Sequence, residues 1–179
     1  SNWSFVYTFR TACGQISILP FTEDFESQPT GTSSTSSPFI PCWTRINNGT
    51  SYGGYPYLSS SSSYNHTQGG TKGLYWYNTT TTGTYGDYQI VVLPGVDTTT
   101  YPINTLQMSF WAKSSSTSYS PSFEVGVMTD PTDASSFTSV AQVYVGPNTT
   151  FTEYTVALGT YTGHGQYVAL RALRPVSIA

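Results

Sequence analysis

The sequence predicts an all-β fold, a sandwich or a barrel, on three observations. Helical periodicity is absent, since no window carries apolar residues at i, i+3, i+4 and i+7 between capping signals. Strand-like alternation runs almost from end to end, broken by Gly, Pro, Asn and Asp at intervals of about ten residues, the rhythm of an antiparallel sandwich or barrel. The composition agrees: of 179 residues only 8% are charged and 16% are aromatic, whereas an average soluble domain is roughly 25% charged. A disordered chain would lack the aromatics.

The elements follow in order. The first, "WSFVYTFRT", alternates, and a Gly- and Pro-bounded connector, "CGQISILP", follows it. Residues 1–17 are therefore expected to be an N-terminal strand and linker, with the domain proper at 18–179. "FTEDFES" alternates aromatic and polar residues and is expected to be that domain's first strand. A Ser/Thr/Pro loop leads to the short strand "PCWTRI". Residues 47–72 are of low complexity and carry Tyr52, Tyr55, Tyr57 and Tyr64, the kind of long loop that usually serves function. Seven strands of ordinary length are then expected in "GLYWYN", "DYQIVVLPGV", "INTLQMSFWAKS", "SFEVGVMTD", "TSVAQVYVG", "TEYTVAL" and "GQYVALRAL". A further alternating strand is expected to begin in "RPVSIA" and to be cut short there, and the abrupt start at "SNWSF" is what a fragment of a longer chain would be expected to show.

Charge and cysteines narrow the setting. A net charge of −3 with six Lys and Arg provides no basic stripe for nucleic acid. No apolar run approaches the roughly 18 residues of a membrane span, and no signal peptide is present. Cys13 and Cys42 are either two buried thiols or a disulfide. The hydroxyl-rich composition suits an extracellular protein, which favours the disulfide.

Several stretches taken in order, "LPFTEDFES", "PCW", "GTKGLYWYN", "QIVVLPGVD", "INTLQMSFWAKS", "FEVGVMTDPTDASSF" and "YVALRA", resemble the cleaved-adhesin and choice-of-anchor J group of bacterial surface modules, relatives of gingipain adhesin domains and more distantly of MAM domains. The match spans about residues 18–175. Residues 1–17 resemble the last strand of a fibronectin type III domain. The resemblance implies a jelly-roll β-sandwich of two antiparallel sheets, a secreted or cell-surface location, a structural calcium ion, and adhesion or carbohydrate binding rather than catalysis. Members usually close with an Asp-containing strand that helps bind calcium, and no such strand occurs here.

Glu23, Asp24 and Glu26 concentrate three of only nine acidic residues in four positions. Alternation places Asp24 and Glu26 on one side of the expected strand, where two carboxylates repel unless a cation lies between them. Calcium takes six to eight oxygens, and carbonyls near His66 to Gly70 would complete such a shell. By resemblance Glu26 is the first ligand and Asp24 the second. The alternative is a solvated acidic edge strand that discourages pairing with other chains.

Two candidate ligand sites emerge for a glycan, which offers C–H faces to aromatic rings and hydroxyls to polar groups. One is Trp111 with Glu124 and Arg171, all on the less apolar faces of their strands. The other is the loop containing Tyr55 and Tyr57. Trp43 and Trp76 read as core. Catalysis has little support. Asp130 and Asp133 sit in a turn, His66 and His164 belong to no metal or triad motif, and no Gly-x-Ser-x-Gly elbow occurs. The expected partners are a glycan or a host or matrix surface, with neighbouring domains or identical subunits as further possibilities. In a second reading, the protein is a filament subunit joined by strand addition through residues 1–17.

Overall fold

The computed structural model describes residues 13–61, 70–78 and 83–173. Nine strands are present among them: β1 (Thr44–Asn47), β2 (Tyr57–Ser59), β3 (Gly73–Tyr75), β4 (Gln89–Val92), β5 (Gln107–Ala112), β6 (Ser122–Met128), β7 (Thr138–Tyr144), β8 (Thr152–Ala157) and β9 (Tyr167–Ala172). The helical content of the described residues is two 3-10 turns, Ile103–Thr105 and Ala134–Ser136. Among the described residues no helix is long and apolar enough to cross a membrane.

The fold is an antiparallel β-sandwich, as expected. One layer is a five-stranded sheet in the order β1-β4-β9-β6-β7. Its central strands carry the continuous apolar runs: all four residues of β4 are buried, as are Val168, Ala169 and Leu170 of β9. The facing layer differs from expectation, because among the described residues it is two separate ladders, β2-β3 and β5-β8, rather than one sheet.

Alternation sorts the core into two parts. Val125 and Val127 of β6 and Val168 and Leu170 of β9 face inward, where Met108, Phe110 and Val156 of the second layer meet them. The opposite face of the large sheet buries Ile90, Val92, Met128 and Ala169 beneath Ile46, Tyr88, Phe137 and Tyr167. At roughly 1.5–3 kcal/mol per fully buried aliphatic side chain, these two clusters drive folding. The register slips between Val125 and Gly126. A side chain at Gly126 would run into the Phe137 ring and the Thr138 carbonyl, so the bulge requires glycine.

Three expectations need correction. "FTEDFES" is a turn rather than a strand, with Phe25 at φ 67°. The pattern of alternate aromatics arises because Phe25 packs edge-on against Trp43 while Glu23 and Asp24 bond local backbone. β2 lies inside the low-complexity stretch expected to be loop. "INTLQMSFWAKS" begins with a 3-10 turn, so its strand starts only at Gln107. Of the two readings of the cysteines, the disulfide is the one observed, linking Cys13 to Cys42. "WSFVYTFRT", "RPVSIA", Tyr64 and His66 lie outside the described residues.

Candidate functional site

The acidic turn is wired to backbone. Glu23 accepts from the Phe25 amide (2.7 Å) and from Gln28 Nε2 (2.8 Å), and Asp24 accepts from the Glu26 amide (3.0 Å). Glu26 reaches across the fold to the residues that open β3. Its Oε1 accepts from the Thr71 and Lys72 amides (2.7 and 3.0 Å), and its Oε2 accepts from the Thr71 hydroxyl (2.6 Å). Lys72 Nζ in turn donates to the carbonyls of Glu26 (2.9 Å) and Gln28 (2.7 Å). The cation beside Glu26 is thus an ammonium, held by two backbone carbonyls.

That arrangement fits calcium poorly. Glu26 already accepts from three donors, and Lys72 Nζ sits on the neighbouring Glu26 and Gln28 carbonyls. Among the described residues no group of three or more His, Cys, Asp or Glu is placed so that it could hold a metal ion.

The wiring has a pH signature. The Thr71 hydroxyl, then the Thr71 and Lys72 amides, bond the ionised form of Glu26 and hold it below the ordinary glutamate range. A carboxylate depressed in the folded state adds stability above its unfolded pKa and loses it as pH falls through its folded value. The melting temperature should therefore fall as pH drops below about 4.3, the unfolded glutamate value. Glu26→Gln should flatten part of that fall. Asp97 and Asp130, lowered by neighbouring threonines, account for a further share. A variant whose acid melting profile overlays the parent would show that Glu26 carries none of it.

Trp111 does not join Glu124 and Arg171. Phe110, its neighbour on β5, points inward to Phe123, so Trp111 points away from the core, on a strand whose register sets it opposite Glu153. Glu124 and Arg171 pair across β6 and β9 on the outer face of the other layer, with Nη2 2.6 Å from Oε2 and the guanidinium 4.2 Å above the Phe137 ring. The sandwich core lies between the two parts of this candidate site. Alternation told inside from outside, but not one outer face from the other. Asp130 and Asp133 bond their own turn, to Thr132 and Ser135, as expected.

Tyr55 and Tyr57, by contrast, fall into a cluster with four further tyrosines. Tyr52 stacks on Tyr85 at 4.9 Å. Tyr55 contacts Tyr57, Tyr75, Tyr77 and Tyr85 at 5.2, 5.8, 5.7 and 6.2 Å. Tyr77 meets Tyr85 edge-on at 4.9 Å. The rings come from the β1–β2 loop, β2, β3 and the turn before β4. Sequence reasoning missed Tyr75, Tyr77 and Tyr85, although the alternation of "LYWYN" already put Tyr75 and Tyr77 on one face with Trp76 on the other. Trp76 does pack inward, against Phe123 at 5.1 Å.

Polar side chains fix the loops that hold this cluster. Arg45 donates to the carbonyls of Gly54 (2.7 Å), Pro56 (3.3 Å) and Ser37 (2.9 Å). Asn47 Nδ2 donates to the Tyr55 carbonyl at 2.7 Å. Gln89 Nε2 donates to the carbonyls of Tyr77 (2.6 Å) and Tyr85 (3.1 Å). Crowding raises the Tyr85 pKa, chiefly by desolvation and then through Tyr77 and Tyr52, so the phenol stays neutral. Tyr52 is exposed and the other five rings are half-buried. Beside Tyr85, Asn48 and Asp87 bond each other at the rim, through the Asp87 amide (2.7 Å) and Asn48 Nδ2 (3.3 Å).

Fold and surface together define the class: an antiparallel β-sandwich that presents a tyrosine patch on its two-ladder layer. Among solved structures it is similar to the K2 cleaved adhesin domain of Lys-gingipain, with a TM-score of 0.61 and 18% identity over 86% of this chain and 90% of that one. It is also similar to the K1 cleaved adhesin domain of Lys-gingipain from Porphyromonas gingivalis W83, with a TM-score of 0.53 and 17% identity over 82% of this chain and 89% of that one. The chain thus has the fold of the gingipain cleaved adhesin domains, as its motifs implied. No protein-family profile matches the sequence. No curated protein matches it either.

Proposed function

We propose that this protein is an extracellular, non-catalytic adhesion module that binds glycans on a host or matrix surface through its tyrosine cluster. The six-ring patch carries the reading. Sugar rings stack their C–H faces on aromatic platforms while a few polar groups at the edge select hydroxyls. Tyr52 and Tyr85 supply a stacked, partly exposed platform, and Asn48 and Asp87 supply the polar rim. The likeness to adhesin domains and the Cys13–Cys42 bridge suit the extracellular setting. This reading does not call on calcium, because the tyrosine cluster is separate from the acidic turn, whose carboxylates already accept bonds from the Phe25, Glu26, Thr71 and Lys72 amides.

The test is a glycan and polysaccharide panel, run in calcium and again in chelator, on the parent, Tyr52→Ala and Tyr85→Ala. The parent should give saturable binding to at least one glycan, and each variant should bind at least about tenfold more weakly, the loss of one stacked ring. The melting temperature should be the same in calcium and in chelator. Equal binding by parent and variants would remove the tyrosine site. A lower melting temperature in chelator would restore Asp24 and Glu26 as ligands.

A further inference from the structure

Backbone hydrogen bonds hold the stacked rings of Tyr52 and Tyr85 in place from both sides. Tyr52 belongs to the loop between β1 and β2, and Tyr85 to the turn that precedes β4. The amides of Thr50 and Tyr52 donate to the carbonyls of Gly83 (2.8 Å) and Thr84 (3.2 Å), which ties loop to turn immediately around the two rings. Asn48 closes the same contact from the other end by accepting from the Asp87 amide at 2.7 Å. Gly49 makes the approach possible, because a Cβ there would stand 2.8 Å from the Tyr85 carbonyl carbon and the Gly86 amide nitrogen.

Ring geometry within the cluster is not uniform. Tyr52 and Tyr85 lie 4.9 Å apart with their planes only 11° from parallel. The other tyrosine contacts described in the cluster are tilted or edge-on, with interplanar angles from 37° to 77°. The difference bears on radical chemistry. A tyrosyl radical carries its spin on the oxygen and on the ring carbons beside the C–O bond, in π orbitals perpendicular to the ring. Two such radicals join through those carbons when the rings face each other, whereas an edge-on ring presents a C–H bond in place of the orbital.

Access points to the same pair. Tyr52 is 40% exposed, so an oxidant in solution reaches it. The half-buried rings behind it touch one another at centroid distances of 4.9 to 6.2 Å. An electron vacancy formed on any of these rings passes between neighbours in contact and so reaches the stacked pair.

We propose that Tyr52 and Tyr85 form a modification site at which oxidation by a peroxide, acting through a peroxidase, creates a dityrosine cross-link. Each phenol gives up one electron and its O–H proton, and the peroxide takes up both electrons and both protons to become two water molecules. The two radicals form one C–C bond between a Cε atom of Tyr52 and a Cε atom of Tyr85. The hydrogens on those carbons leave as protons, and an equal number return to the phenol oxygens. Both rings regain aromaticity, and the protein ends two hydrogen atoms lighter. A pre-oriented pair reacts as if at very high concentration, so this coupling runs ahead of collision between two molecules. The product staples the β1–β2 loop to the turn before β4.

The test treats the dilute full chain with hydrogen peroxide and a haem peroxidase, and reads dityrosine fluorescence, intact mass and the joined peptides. The monomer should fluoresce, lose the mass of two hydrogen atoms, and yield a peptide pair linked through Tyr52 and Tyr85. Tyr52→Phe and Tyr85→Phe keep a ring in each place but lack the phenol, and each should cut the fluorescence of the monomer at least about tenfold. Tyr119→Phe, which removes a 55% exposed tyrosine outside the cluster, should cross-link as the parent does. In denaturant the Tyr52–Tyr85 peptide should disappear, because only the fold aligns the rings. A parent monomer that gains no cross-link, or one whose joined peptides carry other tyrosines, would overturn the proposal. So would a Tyr52–Tyr85 link found only between two molecules. Mass and peptide identity do not depend on whether a glycan binds, so this result and that of the glycan panel are separable.

Discussion

Replacing Cys42 by serine should lower the melting temperature by about 10 °C. The bridge joins residues 29 positions apart. Opening a loop of that size returns roughly 3–4 kcal/mol of chain entropy to the unfolded state. The enclosed stretch holds a single β-bridge, at Ile16, and otherwise turns and loops, tied to the rest of the fold at Gly31, Ser33 and Ser37 by bonds to the Leu58 carbonyl, the Gly54 amide and Arg45. Ile40, only 2% exposed, and the Glu26 contacts to Thr71 and Lys72 attach it further. Cys13→Ser should cost as much, and the double variant no more than either single one, because all three remove the same covalent link. Cys42 also sits at φ 68°, where a side chain is strained. Cys42→Gly should therefore be milder than Cys42→Ala by about 1 kcal/mol. An unchanged melting temperature after full reduction would mean that the bridge does not constrain the unfolded chain.

Arg45→Ala should cost about 3 kcal/mol and abolish the glycan binding proposed for the tyrosine cluster, without touching a tyrosine. The guanidinium is half-buried, lies 5.0 Å from the Phe39 ring centroid, and donates to three carbonyls on two different loops. Burial pushes its pKa down, yet a guanidinium stays charged at any ordinary pH, so these remain charge-assisted bonds. Two of the three carbonyls, Gly54 and Pro56, bracket Tyr55, the ring with the most contacts in the cluster. Losing the fork frees that backbone and with it the platform. Arg45→Lys should recover only part of the effect, because an ammonium cannot copy a planar fork that reaches both loops. Chemical denaturation together with the near-ultraviolet circular dichroism of the tyrosines would report stability and platform separately. A loss below about 0.5 kcal/mol with an unchanged aromatic spectrum would refute this account.

How far the sequence spoke differs from element to element. β4 to β9 were legible because each pairs a run of β-branched or aromatic residues with a clear turn signal. β2 was not, because its three residues sit among Ser, Gly and Tyr and owe their strand state to pairing with β3. The acidic turn alternates as a strand would, but the alternation reflects Phe25 packing on Trp43 while Glu23 and Asp24 bond backbone two residues ahead. Only three-dimensional placement brought Thr71 and Lys72 to Glu26. For the candidate sites, strand alternation correctly put Trp111, Glu124 and Arg171 outward, and it cannot say which layer a strand joins. The tyrosine patch was half legible: Tyr55 and Tyr57 were singled out, while Tyr85 reaches them through a turn whose course depends on Asn48, Asp87 and Gln89.

The Cys13–Cys42 bond also determines how the molecule bears a mechanical load. Tension applied upstream of residue 13 crosses the sulfurs to Cys42 and enters β1 two residues later, at Thr44. Residues 14–41 lie in parallel with a covalent link and feel almost none of it. The acidic turn, its lysine clamp and the Ser/Thr loop are thereby shielded from stretching. The force arrives instead at the edge of the five-stranded sheet, where the ladder between β1 and β4 must give way before the chain can lengthen.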